Sequence, residues 1–394
     1  MFETLKPTPP DKIIELLGLF REDPRTDKID LGVGVYKDAA GRTPVMRAVK
    51  AAEARLLKEQ DTKAYVGLLG DLDFLRAMGE LALGAAVPAE RLAGAQTPGG
   101  TGAIRQLCEL IRRANPGATV WLSDPTWPNH PAILGYLGIP TKTYRYFDEA
   151  SRGVDFTAMM ADLEGMQPGD VLLLHGCCHN PTGANLSLDE WWAVGDLVLR
   201  KGAVPLIDLA YQGFGDGLEA DVAGVRVIAK AVPELMLAVS CSKNFGLYRD
   251  RVGAAFVLSP DKAMADIARM NLASLNRLNY SFPPDHGAKV VALILSDPAL
   301  KADWMAELEG MRLRMLELRQ GLADALRRET NSDRFDFVAK HRGMFSKLGA
   351  SPDQVLALRK DFGVYAVGDS RINVAGLPAD RLDRIARALV AVGG

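Results

Sequence analysis

Apolar residues follow two periodicities along this chain. Between residues 95 and 260, short apolar runs bounded by Gly, Pro and Asp alternate with stretches of helical spacing. The runs 171–178 (VLLLHGCC), 204–209 (VPLIDL) and 235–240 (LMLAVS) are nearly continuous, as expected of strands covered on both faces. A shorter strand is predicted over 120–122, ending at Ser123-Asp124-Pro125. Residues 43–58, with Thr43-Pro44 at their head, and residues 103–114, after Gly99-Gly100-Thr101-Gly102, read as helices. Strand, loop and helix in this order predict an α/β fold with a mostly parallel sheet and helices on both faces.

A second helical pattern is longer. Over 298–330, Trp304, Leu308, Met311, Met315, Leu318, Leu322 and Leu326 recur at steps of three and four, predicting one amphipathic helix packed on the body. Beyond it, 335–394 reads as a compact α+β piece. Pro7, Pro9, Pro10 and Pro24 mark the first thirty residues as an arm around one short helix. The expected division is 1–42, an N-terminal arm and part of a small domain; 43–300, a large domain; and 301–394, the long helix and the rest of the small domain.

Composition narrows the partners. With 47 basic and 49 acidic residues the net charge is -2, so a polyanion-binding surface, and with it nucleic acid, is not expected. Apolar runs such as 290–295 are too short to span a bilayer. No basic, then apolar leader opens the sequence, and only four cysteines occur, two of them adjacent. The expectation is a cytoplasmic protein with reduced thiols.

Ligand sites in parallel sheets lie beyond the carboxyl ends of strands. There this sequence places an unusual polar set. After 235–240 comes Cys241-Ser242-Lys243. A lysine among small residues loses its charge readily on burial, and the free amine then attacks an aldehyde to form a Schiff base. Ser240, Ser242 and Arg251 beside it make a phosphate clamp. Asp208, near the end of 204–209, could stabilise a protonated pyridine nitrogen, although taken alone a loop-capping role fits it better. Asn180, preceding Pro181, could donate to a phenolate oxygen or simply form a turn. The GGTGA stretch at 99–103 offers helix-start amides to a phosphate but lacks dinucleotide spacing. Trp127 could stack on an aromatic ring. His175, Cys177, Cys178 and His179 invite a metal reading, but two consecutive strand residues face opposite ways, so no metal is expected. Together these residues match the needs of pyridoxal 5'-phosphate.

The motifs LGVGVY (31–36), GGTGA, SDPTWPNH (123–130), HGCCHNPTG (175–183), DLAYQGFG (208–215), SCSKNFGLY (240–248), MFS (344–346) and SRIN (370–373) resemble those of the class I aminotransferases, the aspartate and aromatic enzymes of fold-type I. The resemblance spans essentially the whole chain. It implies Lys243 as Schiff-base lysine and proton carrier, Asp208 at the pyridine nitrogen, Tyr211 and Asn180 at the phenolate oxygen, and Trp127 on the ring. It implies Gly100, Thr101, Ser240, Ser242 and Arg251 at the phosphate, with Tyr65 reaching the phosphate of a neighbouring subunit, hence a homodimer. Gly34 and Arg371 would meet the substrate backbone and α-carboxylate, and Arg277 a side-chain carboxylate across the dimer. Phe282 stands where many aspartate-specific members carry asparagine. That stretch, with GANLSLDEW at 183–191, is closest to the bacterial aromatic enzymes, which take aromatic and acidic amino acids. The implied reaction is transamination of both with the 2-oxoglutarate/glutamate pair; a strictly aspartate-specific transferase is the alternative.

Overall fold

A computed structural model describes residues 1–8 and 10–393; Pro9 of the proline-rich head lies outside them. The central sheet contains seven strands: β1 (Leu92–Pro98), β2 (Val120–Asp124), β3 (Thr141–Arg145), β4 (Val171–His175), β5 (Val204–Leu209), β6 (Leu235–Ser240) and β7 (Val252–Leu258). Their spatial order is β1-β7-β6-β5-β4-β2-β3. β7 runs antiparallel to both neighbours, and every other pairing is parallel. The expected sheet is therefore correct apart from one reversed strand.

Alternation along the strands explains their continuous apolar character. Leu172, Leu174, Ile207, Leu237 and Val239 enter a core on one face of the sheet. Val171, Leu173, Leu206, Met236 and Ala238 enter a core on the other. With helices on both faces, the central positions of these strands are buried on either side, and both sets must be apolar.

Two predicted helix starts shift. Helix α1 spans Arg47–Glu59, not 43–58. The Thr43 hydroxyl donates to the Tyr36 carbonyl (2.9 Å), tying residue 43 to the preceding loop, and the proline after it disfavours helical geometry there. Helix α2 spans Gly99–Ala114, so the four-residue glycine-rich turn is the helix's first turn and not its leader. Glycine is required by proximity: a Cβ on Gly99 would lie 2.6 Å from the Arg251 guanidinium, and one on Gly100 would lie 2.9 Å from Ser240 Cβ.

The long helix, α3, has the predicted bounds Pro298–Thr330. Every residue of its predicted stripe is buried. Trp304, Leu308, Met311 and Met315 pack into the sheet's core. Leu318, Leu322 and Leu326 pack into a separate core with Ile29 and Leu31 from the chain's beginning and Val364, Ile372 and Leu389 from its end. Around this second core, Ile29–Asp30 pairs parallel with Val364–Tyr365, and Phe345–Lys347 pairs antiparallel with Arg371–Asn373. One helix is thus shared by two hydrophobic bodies.

Trp304 couples α3 to the loop beyond β6. Its ring stacks on Phe245 at 4.5 Å with 4° between the planes, and its Nε1 donates to the Asn244 carbonyl (2.8 Å). Trp304→Ala is expected to lower unfolding free energy by about 3–5 kcal/mol, the usual cost of emptying a buried aromatic site. Urea denaturation checks this, and a loss under about 1 kcal/mol would contradict the packing described. Among the described residues no helix is long and apolar enough to cross a membrane.

Candidate functional site

The carboxyl ends of β4, β5 and β6 open with the start of α2 into one cavity. Gly34, Gly100, Thr101, Trp127, Asn180, Asp208, Tyr211, Ser240, Ser242, Lys243 and Arg251 all line it, so eleven residues singled out from the sequence converge on a single pocket. Arg371 approaches it from the second body. Its Nη1 donates to Asn180 Oδ1 (3.2 Å), its Nη2 to the Gly32 carbonyl (3.1 Å), and its guanidinium lies 4.3 Å from the centre of the Phe345 ring. Its buried Nε has no partner among the described residues.

Two predicted residues stand apart. Tyr65 is 83% exposed and stacks on Phe282 with ring centres 4.5 Å apart. Arg277 is exposed and donates to Ser281 Oγ (3.3 Å). Neither lines the cavity of its own chain.

Lys243 is the reactive amine of the pocket. Its Nζ lies 4.8 Å from the centre of the Tyr211 ring. Desolvation lowers its pKa to about 8, with Asp208 pulling upward and Arg251 adding to the depression. A far larger fraction of the amine is consequently free near neutral pH than at the ordinary lysine value of 10.5, which favours a nucleophile.

Asp208 is held ionised by a chain of imidazoles that the sequence reading overlooked. His130 Nε2 meets Asp208 Oδ2 at 3.1 Å, so this nitrogen carries a proton and donates. In a neutral His130 ring Nδ1 then accepts from Thr126 Oγ1 (2.9 Å), and the same oxygen accepts from His175 Nε2 (3.1 Å). Burial alone would raise the Asp208 pKa. The His130 hydrogen bond, with the charge of Lys243, outweighs it and brings the value below 3.8. Burial drives His175 down to about 3, so that ring is neutral. The signal lay within SDPTWPNH and HGCCHNPTG, whose histidines flank the strand ends, but nothing in the spacing connects His130 to Asp208.

The phosphate-like corner is equally well defined. No side chain caps the N-terminus of α2, leaving its first amides free, and Ser240, Ser242 and Thr101 surround them. Arg251 donates to Ser242 Oγ (3.4 Å) and to the Tyr248 carbonyl (3.0 Å). Free helix-start amides, hydroxyls and a guanidinium match a dianion. Tyr248, also in the lining, had no role assigned from sequence.

Arg319 was likewise missed. It is fully buried on α3. Its guanidinium donates to the carbonyls of Val338 (3.0 Å), Arg342 (3.3 Å), Gly343 (2.8 Å) and Phe345 (2.7 Å) and to Ser346 Oγ (2.7 Å), fixing the loop that carries Phe345 against Arg371. A lone arginine in a helical pattern gives no hint of this.

The adjacent cysteines depart from expectation. β4 ends at His175, and Cys178 turns back with φ 52°. Strand alternation therefore does not govern them. Cys177, Cys178 and Asp221 bring their sulfur and carboxylate atoms within 4.8 Å of one another, all buried.

Comparison with known proteins agrees with this geometry. The family model for aminotransferases of class I and II matches residues 26–389. An aromatic-amino-acid aminotransferase of Paracoccus denitrificans is 58% identical over 393 residues, covering all of both chains. An aspartate aminotransferase of Salmonella typhi is 46% identical over 395 residues, again covering both completely. The solved aromatic-amino-acid aminotransferase of Burkholderia pseudomallei, described as covalently bound to pyridoxal phosphate, superposes with a TM-score of 0.97 at 40% identity, covering 100% of this chain and 99% of that one. With a family match across nearly its whole length and relatives this similar, the chain belongs to the class I and II aminotransferases.

Proposed function

We propose that this protein is a pyridoxal 5'-phosphate-dependent aminotransferase that acts on aromatic amino acids and on aspartate, with 2-oxoglutarate and glutamate as the partner pair. The observation that carries the reading is the shared cavity of a desolvated Lys243, an ionised Asp208 and an uncapped helix start ringed by hydroxyls. Relatives named for both substrate classes support it.

The cavity fits the cofactor. The uncapped amides of Gly100 and Thr101, the hydroxyls of Thr101, Ser240 and Ser242, and Arg251 would hold its phosphate. Asp208 would pair with the ring nitrogen, Tyr211 and Asn180 with the ring oxygen, and Trp127 with the ring face. When bound, pyridoxal phosphate supplies an aldehyde for amine capture and a ring that accepts electron density from the breaking Cα–H bond.

The protein's own groups do the rest. Lys243 would anchor the cofactor and, once the substrate amine had taken its place, would take up the proton from the substrate Cα. Arg371 presents a planar fork to the α-carboxylate, and its partnerless Nε is available to it. Gly34 offers its backbone beside it. We assign residues 43–300 to the cofactor-binding body and residues 1–42 with 301–394 to the body that brings Arg371. We assign Tyr65 and Arg277 to the pocket of a partner subunit, a reading under which the working unit is a homodimer with shared sites. Their exposure in the single chain supports this.

Arg277 decides the substrate range. Facing a carboxylate it forms a paired, bidentate contact; left beside a phenyl ring it would be a buried unpaired charge costing about 3–5 kcal/mol. In the free chain it is exposed and makes a long bond to Ser281, so it can swing toward solvent when an aromatic substrate enters. Arg277→Leu is expected to lower kcat/KM for aspartate by roughly 100- to 1,000-fold, the kinetic equivalent of losing that pair, while phenylalanine turnover is kept. Equal losses for both substrates in steady-state assays would remove Arg277 from this role. A wild-type enzyme with no phenylalanine turnover would establish the aspartate-specific alternative.

A further inference from the structure

We propose that Cys177, Cys178 and Asp221 form a binding site for one soft, thiophilic divalent metal ion, lying behind the cofactor pocket and reached from a separate surface cleft. Neither the metal nor its binding is needed for transamination.

The donor atoms are already gathered. The two sulfurs and the carboxylate lie within 4.8 Å of one another. Ligands around a single ion with bonds of about 2.0–2.3 Å sit somewhat closer than that, so the three donors draw together on binding. Thiolates select soft ions over magnesium or calcium.

Asp221 is fixed in place for the task. Its carboxylate accepts from the amides of Gly213 (2.8 Å), Gly215 (2.9 Å) and Asp216 (2.7 Å). A carboxylate offers about four acceptor positions, so one remains for a ligand.

Charge also favours the site. Two thiolates, one carboxylate and a divalent ion sum to -1. Arg319 is the matching cation: fully buried, it gives its five hydrogen bonds to carbonyls and a hydroxyl. A buried cation answered only by neutral dipoles is costly, and an anionic metal–thiolate group opposite it restores balance.

Access comes through Cys177. It lines the cofactor cavity and also a second cleft bordered by Asn185, Leu186, Trp191 and Asp221. Water from that cleft can complete the coordination shell. Occupancy would tie the segment leading to Asn180 to the loop following Tyr211, two residues that our functional reading sets on the same cofactor oxygen, so metal is expected to inhibit. Only this last consequence rests on that reading.

The test titrates cadmium into the reduced, cofactor-loaded protein in thiol-free buffer after chelator treatment. Expected are one equivalent bound per chain, a thiolate-to-metal charge-transfer absorption in the ultraviolet, and release of two protons as both thiols ionise. Cys177→Ser and Cys178→Ser should each abolish that absorption and weaken binding by more than about 100-fold, the upper end of what loss of an outer-sphere partner costs. Cys108→Ser should change nothing, because Cys108 is buried in the core on the opposite sheet face. If one serine variant fails to load cofactor, the other carries the test. Absence of the absorption in the wild type, its survival in a serine variant, or its loss in Cys108→Ser overturns the proposal.

Discussion

Lys243→Ala is expected to lower kcat for every amino-acid substrate by about 10,000-fold or more, the upper range for one positioned proton-transfer group, because the same residue also anchors the cofactor. The phosphate corner is untouched, so the variant should still bind pyridoxal phosphate, now without a covalent link. Borohydride treatment would then fail to fix the cofactor to the protein, whereas it would do so in the wild type. A second consequence runs the other way. The folded-state pKa of Lys243 lies near 8, below the ordinary 10.5, so holding its protonated form in the folded chain costs stability. That penalty is fully present below pH 8 and fades as pH rises from 8 to 10.5. The cofactor-free Lys243→Ala protein should therefore melt at a higher temperature than the cofactor-free wild type at pH 7, with the gap closing by about pH 10.5. A lower melting temperature at pH 7 would mean that Lys243 is a structural lysine.

Asp208→Ala is expected to cost roughly 100- to 1,000-fold in kcat/KM, the range for removing one preorganised electrostatic group from a buried site. Because Asp208 would act on the cofactor and not on the substrate, aspartate and phenylalanine should suffer equally. That separates it cleanly from Arg277→Leu, which should divide the two. Asp208→Asn keeps the shape but not the charge, and should resemble Asp208→Ala; near-normal activity in the amide variant would show that the carboxylate's charge is not what matters. The wild-type carboxylate needs no help from pH. Its folded-state pKa is depressed below 3.8, so the stability it contributes is complete above 3.8 and is lost only as pH falls through that lower value. Activity loss between pH 5 and 9 should accordingly not be traced to Asp208.

Much of this architecture was legible because burial on two faces leaves a strong mark. Residues of β4 and β6 are apolar at every position that meets a core, and the stripe on α3 continues unbroken from Trp304 to Leu326. Strand ends were therefore easy to find, and with them Lys243, Asp208 and Asn180. What escaped was set by tertiary contact. The glycines at 99–102 look like punctuation in one dimension. They lie inside a helix, and Arg251, Ser240 and the Thr97–Pro98 segment press so closely on them that no side chain fits. The reversed direction of β7 has no local signature, since its residues would suit either orientation. His130 reaches Asp208 across 78 positions, and Arg319 caps a loop about twenty residues further on, through carbonyls that any sequence would offer. Cys177 and Cys178 were given strand alternation, which fails because the strand stops at His175 and the chain turns at Cys178. Tyr65 and Arg277 were legible only through family resemblance, since neither lines the pocket of its own chain.

The most direct test mixes the cofactor-loaded protein with aspartate and, separately, with phenylalanine, and follows the visible absorption of the bound cofactor. Loss of the band with each amino acid, accompanied by one equivalent of the corresponding oxo acid, is the predicted result. A band that persists with both, or no band even after pyridoxal phosphate is supplied, would contradict the role assigned to Lys243 and with it the proposed function.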